Sequence, residues 1–391
     1  MLEPDNGTAT GDRASAASLR LTRRAALGGL ALAWPMTRLV AKDEMPSLAE
    51  RAARKGILFG TAVGAGRPGT LTGMLSDPRM MAIVERECGV IVAENEMKQY
   101  VIAAQPDATA FARGDSIADW AQGHGKKLRG HTLLWNHPKY TPGWLTERYR
   151  DAPRDGLATW VRDYVGGVAA HYRGRVHSWD VVNETVDNET GELRDTLFQR
   201  KLGFDAIRIA FEAAQEHAPD AQRVYNDYMS WGAGGAKHRA GVLRLLERFR
   251  REKVPVDALG LQSHIGVGDI AHAARERDWR AFVDEVTGMG YRLLITEFDV
   301  NDRGAPGDIA RRDAEVAAVA KGYLDLMLSY PMLDHLLCWG LVDRYSWLQN
   351  FTPRADKLPQ RPLPYDAQYQ PKPLRDAIAA ALIAAPARAA A

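Results

Sequence analysis

The sequence predicts an α/β protein folded as a single (β/α)8 TIM barrel. Short apolar segments recur at intervals of roughly 30 to 50 residues, and stretches with helical periodicity, such as Ala236–Arg251 and Ala310–Ser329, lie between them. There are eight apolar segments, and a parallel sheet with a helix after each strand closes into a barrel at eight strands. The predicted strands are Ile57–Ala62, Val90–Ala93, Lys127–Leu134, Val176–Asn183, Val224–Asn226, Leu259–Ser263, Leu293–Thr296 and His335–Trp339.

A doubly wound open sheet is the alternative architecture. Such a sheet normally has a glycine-rich phosphate-binding loop after its first strand. Glycines are present in and after the first predicted strand, but their spacing is not G-x-G-x-x-G: they are Gly60, Gly64, Gly66 and Gly69. The barrel is therefore the favoured prediction.

The composition excludes several classes of protein. The chain has 391 residues, of which 46% are hydrophobic, as expected for a globular protein with a large core. Its net charge of +2 gives no electrostatic reason to expect binding to nucleic acid or an anionic membrane. The two cysteines, Cys88 and Cys338, lack metal-ligand spacing and lie in or beside apolar segments. We expect buried free thiols, with a disulfide as the alternative.

The N-terminal residues 1–41 predict a polar tail followed by a signal peptide. Arg23 and Arg24 precede an apolar run of about ten residues, which is too short to span a bilayer. Twin arginines before such a run resemble a twin-arginine export signal, with cleavage expected after Ala33 or Ala41. The mature protein would then be periplasmic or secreted. A basic amphipathic helix of a cytosolic protein is the alternative.

The remaining residues, 47–385, predict one catalytic domain. After the eighth strand, Leu341–Pro373 is rich in Pro, Asp and Tyr and has no clear periodicity. Long loops of this kind are usually functional or disordered, and this one begins at a strand end in the barrel mouth, which favours function. From Pro373 the pattern predicts a closing helix and an alanine-rich tail.

Two of the predicted strands lead directly into a glutamate. The stretch VHSWDVVNE ends in Glu184, and RLLITE ends in Glu297. The carboxyl ends of barrel strands open into the mouth where barrel enzymes have their active sites. Two carboxylates in one cleft are the minimum equipment for glycoside hydrolysis. The pair therefore favours a glycoside hydrolase.

Polar and aromatic residues follow nearly every other predicted strand as well. Any one of them could be a helix cap or a buried side chain with a structural role. Caps, however, do not require Trp, Gln and His, so the whole set predicts a binding site.

Seven motifs in this set resemble glycoside hydrolase family ten, the endo-1,4-β-xylanases. In chain order they are ENEMK, RGHTLLW, WDVVNE, NDY, QSH, ITEFD and WGLVDRYSW. The resemblance extends over roughly Gly56–Ile378, with one motif for each of strands two to eight. It implies a retaining double displacement in which Glu184 is the acid/base and Glu297 the nucleophile. No metal or organic cofactor is implied.

The resemblance also implies a set of substrate-binding residues for xylan or xylo-oligosaccharides. These are Glu94, Asn95, Lys98, His131, Trp135, Asn183, Tyr228, Gln262, His264, Trp339 and Trp347. The mechanism requires the pKa of Glu184 to be raised and Glu297 to be ionised. We expect His264 and Asn183 to hydrogen-bond Glu297 or the adjacent hydroxyl, and Asp299 to orient His264.

The sequence departs from the family pattern in two places. Gln99 replaces a usual Trp after the first motif, and Asn136-His137-Pro138 replaces a usual His, a small residue and Gln. These positions shape the subsites on the glycone side. The catalytic assignment is unaffected, but the substrate range can differ.

Three alternatives to a xylanase differ in the residues that they require. A related β-1,4-glycanase or β-glycosidase would use the same carboxylates on another polysaccharide. A barrel that only binds polysaccharide would normally lack one of the two. A metal-dependent hydrolase would need ligands among His124, His131, His137 and His264, which form no recognised chelating pattern. We expect a monomer with no nucleic-acid partner, and no membrane contact after signal removal.

Overall fold

The computed structural model describes residues 45–388, except residues 107, 136 and 270–272. The predicted tail and twin-arginine signal, both cleavage sites and Asn136 lie outside the described residues. Within those residues, no helix is both long and apolar enough to cross a membrane.

Nine parallel strands are described, and eight of them close into a barrel. The strands are β1 (Leu58–Val63), β2 (Val90–Ala93), β3 (Lys127–Trp135), β4 (Ser178–Asn183), β5 (Gln222–Asp227), β6 (Ala258–Leu261), β7 (His264–Gly266), β8 (Arg292–Asn301) and β9 (Leu333–Cys338). Neighbours along the chain pair from β1 to β6, β6 pairs with β8, β8 with β9, and β9 with β1. The predicted (β/α)8 barrel is confirmed.

The short strand β7 was not predicted, and β8 is longer than predicted. Beyond Thr296, β8 continues to Asn301 and pairs with β7 through Asp299 and His264. Three residues give too little periodicity to recognise a strand. The extension is stable because β8 is buried along nearly its whole length and finds this second partner.

Helices cover the outside of the barrel. They are α1 (Leu48–Ala53), α2 (Pro78–Glu87), α3 (Gln99–Ile102), α4 (Ala112–Gly123), α5 (Gly143–Tyr149), α6 (Arg154–His171), α7 (Leu197–Leu202), α8 (Asp205–His217), α9 (Ala236–Arg251), α10 (Ala273–Gly288), α11 (Ile309–Leu328), α12 (Leu348–Phe351) and α13 (Pro373–Ala384). The predicted bounds of α9 are confirmed, and those of α11 differ by one residue at each end.

The start of α2 and the buried face of α9 both follow from the local sequence. The Asp77 carboxylate accepts hydrogen bonds from the first backbone N–H groups of α2, and Pro78 occupies the first turn, where its missing N–H costs nothing. In α9, residues such as Val242, Leu245 and Phe249 lie three or four apart and are buried against the barrel. Burying one such side chain stabilises the fold by about 1.5–3 kcal/mol.

The strands divide the core into an inner and an outer part. Alternate residues point inward, so Val90 and Val92 pack with Leu337 and Trp339 inside the barrel, while Ile91 packs against the helices. Cys88 and Cys338 are buried free thiols, as predicted.

The segment from Leu341 to Pro373 is fixed in place by buried ion pairs. It contains α12 but is otherwise irregular. Lys372 donates to both carboxylate oxygens of Asp343 at 3.2 and 3.0 Å, and Arg361 forms a pair of hydrogen bonds with Asp313 on α11 at 2.8 and 2.7 Å. These contacts do not depend on a repeating pattern, which explains why the sequence predicted no secondary structure here.

Replacing Lys372 by Met should destabilise the protein strongly. Asp343 and Lys372 are 2% and 3% exposed, so the substitution leaves a buried carboxylate without its closest cation. Losing one partner of a buried pair costs about 3–5 kcal/mol. The measurement is the free energy of unfolding in urea. Lys321→Met is the control: it breaks the exposed Lys321–Asp325 pair on α11 and should cost less than about 1 kcal/mol. Equal losses in the two variants would contradict this account.

Candidate active site

A cleft of about 770 Å³ opens at the carboxyl ends of the barrel strands. It contains every residue predicted to be catalytic or substrate-binding. These are Glu94, Asn95, Lys98, His131, Trp135, Asn183, Glu184, Tyr228, Gln262, His264, Glu297, Trp339 and Trp347. Residues from seven strand ends thus meet in one space, although they are far apart in sequence.

Glu297 lies within β8 and is held as a carboxylate by its neighbours. Asn226 donates to Oε1 at 2.8 Å, and His264 Nε2 lies 3.3 Å from Oε2. Burial alone raises the pKa of Glu297, but the hydrogen bond from His264 and the charges of His131, His264 and Lys98 outweigh burial and lower the pKa to about 2. Glu297 is therefore ionised at neutral pH.

Glu184 follows β4 and has the opposite electrostatic environment. Gln262 donates to its Oε1 at 2.8 Å, and the indole of Trp135 donates to its Oε2 at 3.1 Å. Burial raises the pKa of Glu184, and the charges of Asp227 and Glu297 raise it further, against the lowering effect of the two hydrogen bonds. Glu184 also has a φ of 53°, in the left-handed region. Strained backbone of this kind is found mainly at functional sites.

Backbone pairing fixes the two glutamates relative to each other. The N–H of Glu184 donates to the carbonyl of Asn226, and the N–H of Glu297 donates to the carbonyl of Gln262, each at 3.0 Å. The Asn226 amide also donates to Asn183 at 3.0 Å, and Thr296 donates to Asn226 at 2.7 Å. One asparagine therefore connects the ends of β4, β5 and β8.

Asn226 was missed from the sequence. Asn183 was expected to hydrogen-bond Glu297 or the adjacent hydroxyl of the sugar. Among the described contacts, Asn183 bonds Asn226 instead, and Asn226 makes the bond to Glu297. Asn226 reaches this position because Gly260 on β6 lacks a side chain: a Cβ there would lie 2.3 Å from Asn226 Oδ1. The NDY motif was the available signal, but a motif does not show which side chains touch.

His264 lies between Glu297 and Asp299. Its Nδ1 is 3.0 Å from Asp299, whose other carboxylate oxygen accepts the indole N–H of Trp347 at 2.8 Å. Burial lowers the pKa of His264, but the two carboxylates outweigh it and raise the pKa to about 10. His264 is thus a cation that faces Glu297. Asp299 lies behind it, as expected of a residue that orients an imidazole.

Lys98 and Glu94 are buried in the same cleft and interact electrostatically. Burial lowers the pKa of Lys98, and the carboxylates of Glu297, Glu94 and Glu184 oppose this. Burial also raises the pKa of Glu94, to about 7. Lys98 and the hydroxyl of Tyr100 both donate to the side-chain oxygen of Asn95, at 3.0 and 2.9 Å. Tyr100 was not predicted to take part.

His131 is oriented by a buried carboxylate that was also missed. Its Nδ1 lies 2.9 Å from Asp180, and Asp180 forms an ion pair with Arg129. These side chains belong to β3 and β4 and point into the barrel beneath the cleft. The alternation in the sequence places them on one face of their strands, but only barrel closure brings that face inside.

Aromatic rings form the walls of the cleft. Trp339 packs edge-on against His131, and Trp135 stacks on Tyr140 with ring centroids 4.3 Å apart. Flat aromatic faces of this kind suit the apolar faces of sugar rings. Tyr140, His137 and Lys139 also line the cleft; they belong to the loop that departs from the family pattern.

Gln99, one of the positions that differ from the family pattern, is buried and does not line the cleft. Its side-chain oxygen accepts the backbone N–H of Trp135 at 3.4 Å. Pro138 is exposed. Within the described ranges, no group of three or more His, Cys, Asp or Glu side chains could hold a metal ion.

Comparison with known proteins gives a consistent set of relatives. A family model described as Glycosyl hydrolase family 10 matches residues 47–381. Endo-1,4-beta-xylanase B of Thermotoga neapolitana is 30% identical over 302 residues, which is 77% of this chain and 82% of that protein. Endo-1,4-beta-xylanase 3 of Hypocrea jecorina is 32% identical over 326 residues, covering 83% of this chain and 82% of that protein.

Solved structures have the same fold. Native xylanase 10B from Thermotoga maritima superposes with a TM-score of 0.76 at 28% identity, covering 86% of this chain and 98% of that one. Xylanase 10B from Thermotoga petrophila, in complex with xylobiose, also gives 0.76 at 28% identity, covering 87% and 98%.

Replacing His264 by Gln should raise the pKa of Glu297 from about 2 toward its ordinary value. The substitution removes the cation and the hydrogen bond that favour the carboxylate. The measurement is a ¹³C NMR titration of the Glu297 side chain in the free protein. His137→Gln changes a cleft histidine with no described contact to Glu297 and should leave its titration unchanged. An unchanged Glu297 titration in His264→Gln would contradict this assignment.

Proposed function

This chain belongs to glycosyl hydrolase family 10, and on that premise we propose that it is an endo-1,4-β-xylanase acting with retention of anomeric configuration. Glu297 is the nucleophile and Glu184 the acid/base. The substrate is xylan or a xylo-oligosaccharide. Support for the substrate comes from the names of the relatives and from the xylobiose complex of one structural neighbour.

One observation supports the mechanism above the others: two carboxyl groups in the same cleft have environments that shift their pKa values apart. Burial and the like charges of Asp227 and Glu297 raise the pKa of Glu184. His264 and Lys98 keep Glu297 ionised. Two carboxyl groups whose pKa values are shifted in opposite directions are what a retaining glycosidase needs.

In the first step, a Glu297 oxygen attacks the anomeric carbon of the sugar on the glycone side. The bond between this carbon and the glycosidic oxygen breaks, and Glu184 gives its proton to that oxygen. The product is a glycosyl ester of Glu297 and a shortened xylan chain with a free hydroxyl. His264 and Asn226 hold Glu297 in one orientation during the attack.

In the second step, Glu184 has become a carboxylate and takes a proton from water. The water oxygen attacks the anomeric carbon from the side that the leaving group occupied, and the ester bond to Glu297 breaks. Two inversions at one carbon retain its configuration. Gln262 and Trp135 hold Glu184 through both steps.

The other cleft residues hold the sugars. Lys98, His131, Asn183 and Gln262 surround the ring at the cleavage point, and Glu94 and Asn95 bind the next sugar outward. Trp135, Trp339 and Trp347 supply flat apolar walls.

Replacing either glutamate by Ala should lower kcat on xylan by about a hundredfold or more. The exposed Glu189, in the loop after β4, is a matched control whose Ala variant should retain activity. Wild-type hydrolysis should be faster on xylan than on carboxymethylcellulose, and ¹H NMR should detect the β-anomer of the product first. Near wild-type turnover by Glu184→Ala or Glu297→Ala would refute the catalytic assignment, and a preference for carboxymethylcellulose would refute the substrate.

We expect kcat/KM to have an acid limb at very low pH and a separate alkaline limb. Turnover needs Glu297 deprotonated, which holds above its pKa of about 2, and Glu184 protonated, which fails as the pH rises through its raised pKa. The measurement is kcat/KM on xylan across pH. In Glu184→Ala, assayed on an aryl xylobioside with a good leaving group, the alkaline limb should disappear because no proton is needed. Persistence of that limb would assign it to another group.

A further inference from the structure

Asp227, at the end of β5, is a fully buried carboxylate beside the cleft but not in it. The Tyr225 hydroxyl donates to one oxygen. The other oxygen accepts the backbone N–H of Tyr228 at 2.8 Å and lies 3.2 Å from Nε2 of His238 on α9. The proposed mechanism gives this carboxylate no part in the reaction.

The pairing of Asp227 differs from that of other buried carboxylates. Asp180 has Arg129, Asp343 has Lys372 and Glu87 has Arg375 as ion-pair partners. Among the described ion pairs, Asp227 has only His238, which is charged only if it is protonated. Arg194 interacts with Asp227 electrostatically without forming a described ion pair with it. Burying a carboxylate without a close, permanently charged partner is costly.

Asp227 and Glu184 come directly after paired residues of adjacent strands. Asn183 and Asn226 are register partners on β4 and β5, and the N–H of Glu184 donates to the Asn226 carbonyl at 3.0 Å. The Tyr225 hydroxyl that binds Asp227 also lies against the backbone N–H groups of Thr185 and Val186. Two adjacent strand ends and one tyrosine thus connect the two carboxyl groups.

Charged groups face Glu184 from several elements. Arg194, in the loop after β4, donates to the Glu184 carbonyl at 3.2 Å and to the Tyr228 hydroxyl at 2.9 Å. Lys98 and Glu297 lie across the cleft. Burial raises the pKa of Glu184 most, Gln262 lowers it, and the charge of Asp227 then raises it more than the charge of Glu297 does.

We propose that Asp227 is a positioning residue that acts through Glu184, as a fixed negative charge that keeps the proton on Glu184 until it is transferred to the leaving group. The proposal rests on the proposed roles of Glu184 and Glu297. Glu297 loses its charge when it forms the glycosyl ester, so its effect on Glu184 disappears after the first step. Asp227, in contrast, forms and breaks no bond in either step. Asp227 therefore sets the part of the acidity of Glu184 that does not change during turnover.

Replacing Asp227 by Asn tests this proposal. Asparagine has the same shape and retains an acceptor for Tyr225 or Tyr228, but it lacks the charge. The alkaline limb of kcat/KM on xylan should move to lower pH, with about a tenfold loss at a fixed pH on that limb. KM should change little. An aryl xylobioside with a good leaving group should show no comparable loss, because its cleavage does not need the acid.

Tyr225→Phe is the matched control. It removes one hydrogen bond to Asp227 but leaves the carboxylate, so the limb should stay in place even if the variant melts at a lower temperature. An equal shift in both variants would mean that packing behind Glu184, and not charge, is responsible, and the proposal would fail. It would also fail if neither Asp227→Asn nor Asp227→Ser folds, because Asp227 would then serve the barrel itself.

A second measurement does not depend on the substrate. The Glu184 side chain is titrated by ¹³C NMR in the free protein, with its signal assigned by comparison with Glu184→Gln. In Asp227→Asn the Glu184 titration should move to lower pH. Absence of this shift would refute the role of Asp227 even if xylan is hydrolysed, whereas a shift without xylan hydrolysis would refute the proposed substrate and leave the charge effect standing.

Discussion

The site depends on barrel closure between β6 and β8. Their pairing, from Ala258 with Arg292 to Leu261 with Ile295, brings the carboxyl end of β8 beside those of β5 and β6. Glu297 can then bond the Gln262 carbonyl and the Asn226 amide. An open sheet would leave these strand ends at separate edges, and neither glutamate would share a cleft with the other.

Closure also creates the electrostatic difference between the two glutamates. Loss of solvent contact alone raises the pKa of each. What separates them is the neighbour that each strand end supplies: the cation His264 for Glu297, and the anion Asp227 for Glu184. The difference therefore arises from the order of residues around the barrel, and small changes at one strand end can retune one carboxyl group without altering the other.

The segment Leu341–Pro373 is ordered mainly by ion pairs and not by regular secondary structure. It has little regular structure, yet Asp343, Arg361 and Lys372 fasten it to α11 and to itself. This holds Trp347 against Asp299, which in turn faces His264. The position of the cation beside Glu297 is thus connected to a network of ion pairs well outside the cleft.

The sequence by itself determined the barrel and the residue types that line its mouth. Alternating apolar strands and helical repeats are local patterns, and strand-end residues such as Glu184, Gln262 and Glu297 could be found by position and motif. Only the tertiary structure decided which side chains touch. It identified Asn226 as a donor to Glu297, added the short strand β7, placed Asp180 beside His131, and brought the charge of Asp227 within electrostatic reach of Glu184. The physical reason is that hydrogen bonds and charges act over a few ångströms in space, and those distances exist only after β6 and β8 have paired.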